Sequence, residues 1–121
     1  MKKTLSILLV ACYTLFYAQS DLATLKSFYK KNSPAKLGKI ITYNSNSNIL
    51  NIDGFRFPLN KVSYYYEYND KYYSYARHFV TVECIDGSEC VKYKGDGKNS
   101  VSVPMNSKAN ALKLVQLLEN L

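Results

Sequence analysis

Apolar positions follow three different rhythms along the chain. An almost unbroken apolar run comes first, from Leu5 to Ala18, interrupted only by Ser6 and Thr14. Between Asp21 and Lys31 the residues Leu22, Leu25, Phe28 and Tyr29 recur at helical spacing, and Asn32-Ser33-Pro34 ends the pattern, which predicts a short N-terminal helix. From Lys39 onward the period falls to two. β-Branched and aromatic residues alternate with polar ones, predicting strands at Lys39 to Tyr43, Asn48 to Ile52, Phe55 to Leu59, Lys61 to Tyr68, Tyr72 to Cys84, Glu89 to Tyr93 and Ser100 to Val103. Turns are expected at Asn44-Ser45-Asn46-Ser47, Asp53-Gly54, Asn69-Asp70, Asp86-Gly87 and Lys94-Gly95-Asp96-Gly97. After Pro104 the helical period returns: Asn106 or Ser107 can cap a helix in which Ala111, Leu114, Val115, Leu118 and Leu121 form one apolar stripe.

Lys2 and Lys3 precede the first apolar run, and the small residues Ala18 and Ser20 follow it. That is the three-part layout of a secretory signal peptide over residues 1–20, with cleavage near 18 to 20, and the run is shorter than the ~20 residues of a comfortable bilayer span. The protein is therefore expected to be exported, periplasmic or extracellular, with no transmembrane segment. Leu9-Val10-Ala11-Cys12 offers a second reading, a lipoprotein anchored through Cys12, although the apolar run continues past that residue through Tyr13, Leu15, Phe16 and Tyr17. Under either reading Cys84 and Cys90 remain as a pair in an oxidising compartment. A three-residue turn at Asp86, Gly87 and Ser88 would set them opposite each other on adjacent strands, ready to form a disulfide.

What remains, residues 21–121, is one β-rich domain of α+β class, mainly antiparallel, with about seven strands between a short N-terminal helix and a C-terminal amphipathic helix. Of 121 residues, 47% are hydrophobic and 21% charged, which excludes wholesale disorder and a multi-span membrane protein. The order of elements from residue 39 to 121 resembles the pleckstrin-homology-like superfold, a barrel or sandwich of two antiparallel sheets capped by a C-terminal helix. Phe57-Pro58-Leu59 before Val62, the segment from Cys84 to Cys90 and the final helix are also similar to small secreted bacterial proteins of unassigned activity with a predicted domain of this type. Lipid-binding members of the superfold hold phosphoinositides with basic residues in the first strands and the loop between them. Lys36 and Lys39 lie near that place, but the loop here, Asn44 to Asn48, carries no cation, so phosphoinositide binding does not carry over.

The residues give little material for catalysis. His78 is the only histidine and has no metal-ligand partner at the right spacing; it reads as a strand residue hydrogen-bonded to a neighbour. Glu67, Glu83 and Glu89 read as solvent-facing charges, and Lys94-Gly95-Asp96-Gly97-Lys98 is a hairpin turn, because no helix follows it to bind phosphate. No enzyme activity, cofactor or metal is expected. Without Lys2 and Lys3, the 16 basic residues fall to 14 against 9 acidic ones, about +5 in all, and they are scattered with little arginine, which disfavours nucleic acid.

The outlier is the segment from Tyr64 to Tyr75, with seven tyrosines in twelve residues. A three-residue turn at Asn69, Asp70 and Lys71 would pair Tyr68 with Tyr72, Tyr66 with Ser74, Tyr64 with Ala76 and Val62 with His78. That register puts Val80 and Val82 on the core face and leaves Tyr65, Tyr73, Tyr75 and Arg77 outside with Glu67. A two-residue turn at Asn69-Asp70 would instead expose Tyr64 and Tyr66 with Tyr73 and Tyr75. Tyrosine joins an apolar ring to a polar tip, so Tyr65, Tyr73, Tyr75 and Arg77 are the candidate contacts for a protein, peptide or glycan partner. The expectation is a small exported, non-catalytic binding module. The alternative is a secreted inhibitor of a hydrolase that uses the disulfide-pinned turn from Asp86 to Glu89 as a wedge.

Overall fold

The computed structural model describes residues 21–35 and 37–121; the expected leader over 1–20, its cleavage site and Cys12 lie outside the described residues, as does Lys36. Residues 21–32 form helix α1, which buries Leu25 and Tyr29. It ends where the sequence places the stop: Ser33 N–H donates to the Tyr29 carbonyl at 3.0 Å, and Pro34 has no N–H with which to continue.

The strands that follow are β1 (Ile41–Asn44), β2 (Ile49–Ile52), β3 (Phe55–Pro58), β4 (Val62–Tyr73), β5 (Ala76–Cys84), β6 (Val91–Tyr93), β7 (Asp96–Lys98) and β8 (Ser100–Met105), with a 3-10 turn at Leu59–Lys61 between β3 and β4. Helix α2 (Lys108–Glu119) closes the chain. The architecture is α+β, with two antiparallel sheets: a five-stranded sheet in the order β1-β2-β3-β6-β7 and a three-stranded sheet in the order β4-β5-β8.

Local chemistry sets the tight turns of the five-stranded sheet. Asp53 and Gly54 link β2 to β3 with φ of 50° and 97°, and Lys94 and Gly95 link β6 to β7 with φ of 49° and 87°. Two successive positive φ values define the hairpin turn that matches the twist of its strands, and they favour glycine at the second place. Asp53 also ties the sheet to the segment before it. Its backbone N–H donates to the Ile40 carbonyl and its Oδ1 accepts from the Ile40 N–H, both at 2.8 Å, while Oδ2 accepts from the hydroxyl of buried Tyr29.

Inner faces of both sheets meet in one core, where Leu50, Ile52, Phe57 and Val91 of the first sheet face Val80, Val82, Val101 and Val103 of the second. Phe57 meets the ring of Tyr64 edge-on, with centroids 6.3 Å apart. Helix α2 packs against β4, β5 and β8 through Ala111, Leu114 and Leu118, and Ser107 caps it by accepting from the Asn110 N–H at 3.1 Å. Val115 is half-buried and Leu121 exposed, so the stripe is narrower than its sequence suggests.

Three expectations are corrected. Segment 94–97 is not one turn: only Lys94 and Gly95 turn, and Asp96 and Gly97 already belong to β7. The β4–β5 turn does not fall at Asn69 to Lys71. Val62 pairs with Cys84, Tyr64 with Val82, Tyr66 with Val80 and Tyr68 with His78, and after an irregularity Tyr73 pairs with Ala76. The Asn69 side chain bends the strand instead of reversing it, since Oδ1 accepts from the N–H groups of Lys71 at 2.7 Å and Tyr72 at 3.2 Å. Finally, Cys84 and Cys90 are bridged, with Cα atoms 5.9 Å apart, but not across a hairpin. Cys84 ends β5 in the three-stranded sheet and Cys90 precedes β6 in the five-stranded one, so the bridge fastens the crossover between the two sheets.

Candidate functional site

The long β4–β5 hairpin carries the tyrosines. At its base the register holds: Tyr64 and Tyr66 lie opposite Val82 and Val80 and are half-buried in the core. Burial pushes the Tyr64 hydroxyl well above its ordinary value, with the Glu119 carboxylate adding to the shift. Tyr66 hydrogen-bonds to His78 Nδ1 at 2.8 Å, and the Tyr68 ring meets His78 edge-on. His78 is thus a strand residue satisfied by a neighbour, as its isolation in the sequence implies. Lys108 of α2 stands over the Tyr66 ring, 5.3 Å from its centroid.

On the opposite face Glu67 is not a free surface charge. Its Oε2 accepts from the Thr81 hydroxyl at 2.7 Å and from the Ser102 hydroxyl at 3.3 Å, tying β4, β5 and β8 together. Glu83 and Glu89 are exposed, as expected.

Beyond the Asn69 bend the aromatic side chains gather around Phe79. Tyr72 meets that buried ring edge-on at 5.6 Å, Tyr73 lies at 5.9 Å, and Tyr73 stacks on Tyr75 at 5.1 Å. These rings keep much of their surface in water: Tyr72 is 54% exposed, Tyr73 44% and Tyr75 37%, and Tyr65, nearer the base of the hairpin, is 43% exposed. Tyr65, opposite Thr81, is raised above its ordinary pKa by desolvation first, then by Glu83 and Glu67, with Tyr72 close enough to contribute. Tyr75 is raised by desolvation and by Tyr73. Arg77 is exposed on β5.

The structure therefore brings Tyr73 and Tyr75 into contact and leaves Tyr65 and Arg77 exposed. Tyr72 and Phe79 are the members that the sequence reading did not single out. The expected alternation set Tyr72 opposite to Tyr73, whereas the irregular segment after Asn69 lets both rings reach Phe79. The consecutive apolar residues Phe79 and Val80 are a signal for a strand covered on both faces.

A second exposed feature is the loop from Ile85 to Glu89, closed by the disulfide. Asp86 Oδ1 accepts from the Ser88 N–H at 3.0 Å, and the hydrogen bonds from Ser88 hold its carboxyl below the usual carboxylate range. Ile85 is 69% exposed. Among the described residues there is no cluster of three or more His, Cys, Asp or Glu able to hold a metal ion, and no helix long and apolar enough to cross a membrane. No known protein family, curated protein or solved structure matches the chain.

Proposed function

We propose that the protein is a small exported binding module without catalytic activity, of the pleckstrin-homology-like type, that grips a protein or peptide partner with the tyrosine patch at the end of the β4–β5 hairpin. The observation that carries this reading is the exposure of Tyr72 and Tyr73 over the buried ring of Phe79, with exposed Tyr75 stacked on Tyr73 and Tyr65 also exposed on β4. Contiguous apolar surface held open to water costs free energy unless something covers it, and tyrosine gives large contact area with few rotatable bonds. Two antiparallel sheets followed by a C-terminal amphipathic helix support the superfold assignment. The disulfide and the apolar leader support export, because such bridges persist where the environment oxidises.

Affinity capture from envelope and culture-supernatant extracts, run in parallel with the wild type and with a variant carrying Tyr73→Ala and Tyr75→Ala, tests the reading. A partner bound by the first and lost by a folded double variant is the expected result. Equal capture by both, or a double variant that cannot fold, removes the patch as a contact surface. The inhibitor reading draws on Ile85, an apolar side chain presented at 69% exposure on a disulfide-closed loop. It requires that capture enrich one hydrolase, that the protein abolish its activity at stoichiometric dose, and that Ile85→Asp remove the inhibition.

A further inference from the structure

The outer face of the five-stranded sheet carries a polar ladder in direct register. Thr42 pairs with Asn51, Asn51 with Arg56, Arg56 with Lys92, and Lys92 with Gly97, so one row crosses all five strands. Two open depressions meet at Arg56. One, of about 570 Å³, is lined by the hydroxyls and amides of Thr42, Asn44, Ser45 and Asn51; the other, of about 510 Å³, adds Lys92 and Lys94.

The charges on this face are unevenly satisfied. Asp53 borders the second depression, but its two oxygens already accept from Tyr29 and Ile40. Glu89 and Lys92 both reach over Gly97, where a Cβ would lie 2.8 Å from the carboxylate and 2.9 Å from the ammonium group. Lys94 stands over the Tyr93 ring at 5.4 Å. Arg56 is exposed, and among the described residues nothing forms a hydrogen bond or ion pair with its guanidinium. Asn51 Oδ1 is used by the Gly54 N–H at 2.8 Å, which leaves the amide hydrogens of its side chain for another acceptor.

From this ladder we infer a second binding site, separate from the tyrosine patch: the outer face of the five-stranded sheet binds an acidic glycan, with an anionic substituent on Arg56 and sugar hydroxyls on Thr42, Asn44 and Asn51. A guanidinium presents a planar fork that matches carboxylate and sulfate. The Asn44 and Asn51 amide oxygens are used within the chain, by Asn46 and Ser47 N–H and by Gly54 N–H, so their amide hydrogens donate, while the Thr42 hydroxyl can donate and accept, as a polyhydroxylated chain requires. The open, shallow form of the two adjoining depressions suits an extended chain crossing the strands and not a small ligand enclosed in a cavity.

Binding of fluorescent dextran sulfate and of polygalacturonate, with unsubstituted dextran and single-stranded DNA as controls, tests this. The wild type is expected to bind one or both acidic glycans and not dextran, and the one preferred identifies the anion as sulfate or carboxylate. Arg56→Gln is expected to weaken that binding about tenfold or more, with an unchanged melting curve, while Lys113→Gln on α2 leaves it unaltered. Equal binding of dextran sulfate by wild type and Arg56→Gln overturns the proposal. So does single-stranded DNA binding as tightly as either glycan, which would mark general polyanion attraction, or failure of both acidic glycans to bind.

Discussion

In the five-stranded sheet the strands are three or four residues long and the outer face is polar; in the three-stranded sheet they run from six to twelve residues and tyrosine rings crowd the outer face at the hairpin end. The short strands take their register from turns whose backbone angles few residue types tolerate. The long hairpin takes its register from burial, since Tyr64 and Tyr66 must share a face with Val80 and Val82. A register fixed at the base leaves the far end free to bend without disturbing the core. The polar face can thus be a fixed array, and the aromatic end can vary.

The sharpest test of that contrast lies in two phenylalanines, both fully buried. Phe57 sits where the sheets meet, and Phe57→Ala should cost about 3–5 kcal/mol in chemical denaturation. Phe79 lies beneath Tyr72 and Tyr73, whose outer sides face water, so those rings can settle into the vacated space; Phe79→Ala should cost about 3 kcal/mol, the low end for such truncations. Equal losses would make the aromatic end a part of the core.

Alkali should act next. Tyr29 and Tyr64 hold their protons above the ordinary tyrosine pKa, chiefly because burial disfavours the phenolate. The unfolded chain therefore releases these protons first as pH rises. Their contribution is complete below pH ~10 and falls by roughly 1.4 kcal/mol per ring for each further pH unit. Tyrosinate absorbance should show the exposed rings ionising first and these two only on unfolding. Early ionisation of both would break the assignment of Tyr29 and Tyr64 to the interior.

Removing the bridge with Cys84→Ser and Cys90→Ser should cost about 2 kcal/mol, because the closed loop is short. The loss should be visible as a lower denaturation midpoint, with the secondary structure measured by circular dichroism retained. Smallest is Asn69→Ala, which removes the acceptor for two backbone N–H groups and should cost about 1 kcal/mol. Hydrogen exchange should then rise at Lys71 and Tyr72 but not at Val80 or Val82. Faster exchange throughout β5 would show that the bend, and not the core, sets the register.

Elements governed by local chemistry are legible in the sequence. Asp53-Gly54 demands its turn, Ser107 its cap, and Ala111, Leu114 and Leu118 their buried face. Asn69 is ambiguous for a physical reason: a side chain that accepts from N–H groups two and three residues on can close a hairpin or merely bend a strand, and only the distant partners decide. Cys84 and Cys90 could be paired by parity and compartment, yet the sheet each strand joins depends on residues far away in the chain. Among the site residues, Tyr65, Tyr73, Tyr75 and Arg77 could be placed outside from alternation, whereas the shared contact of Tyr72 and Tyr73 with Phe79 depends on the bend. The polar ladder at Arg56 is not legible in the sequence because β6 pairs with β3 across the intervening β4–β5 hairpin.

The bridged crossover has a consequence for proteolysis. Residues 85–89 are exposed and join β5 to β6, so a protease cutting there opens one of the backbone connections between the two sheets. Cys84 and Cys90 stand just outside the cut and remain bonded, and β3 still holds β6 while β5 still holds β8. A nicked molecule would be heavier by one water and stay covalently joined until a reductant broke the bridge. An exposed loop is thus one where a cut leaves the two pieces held together.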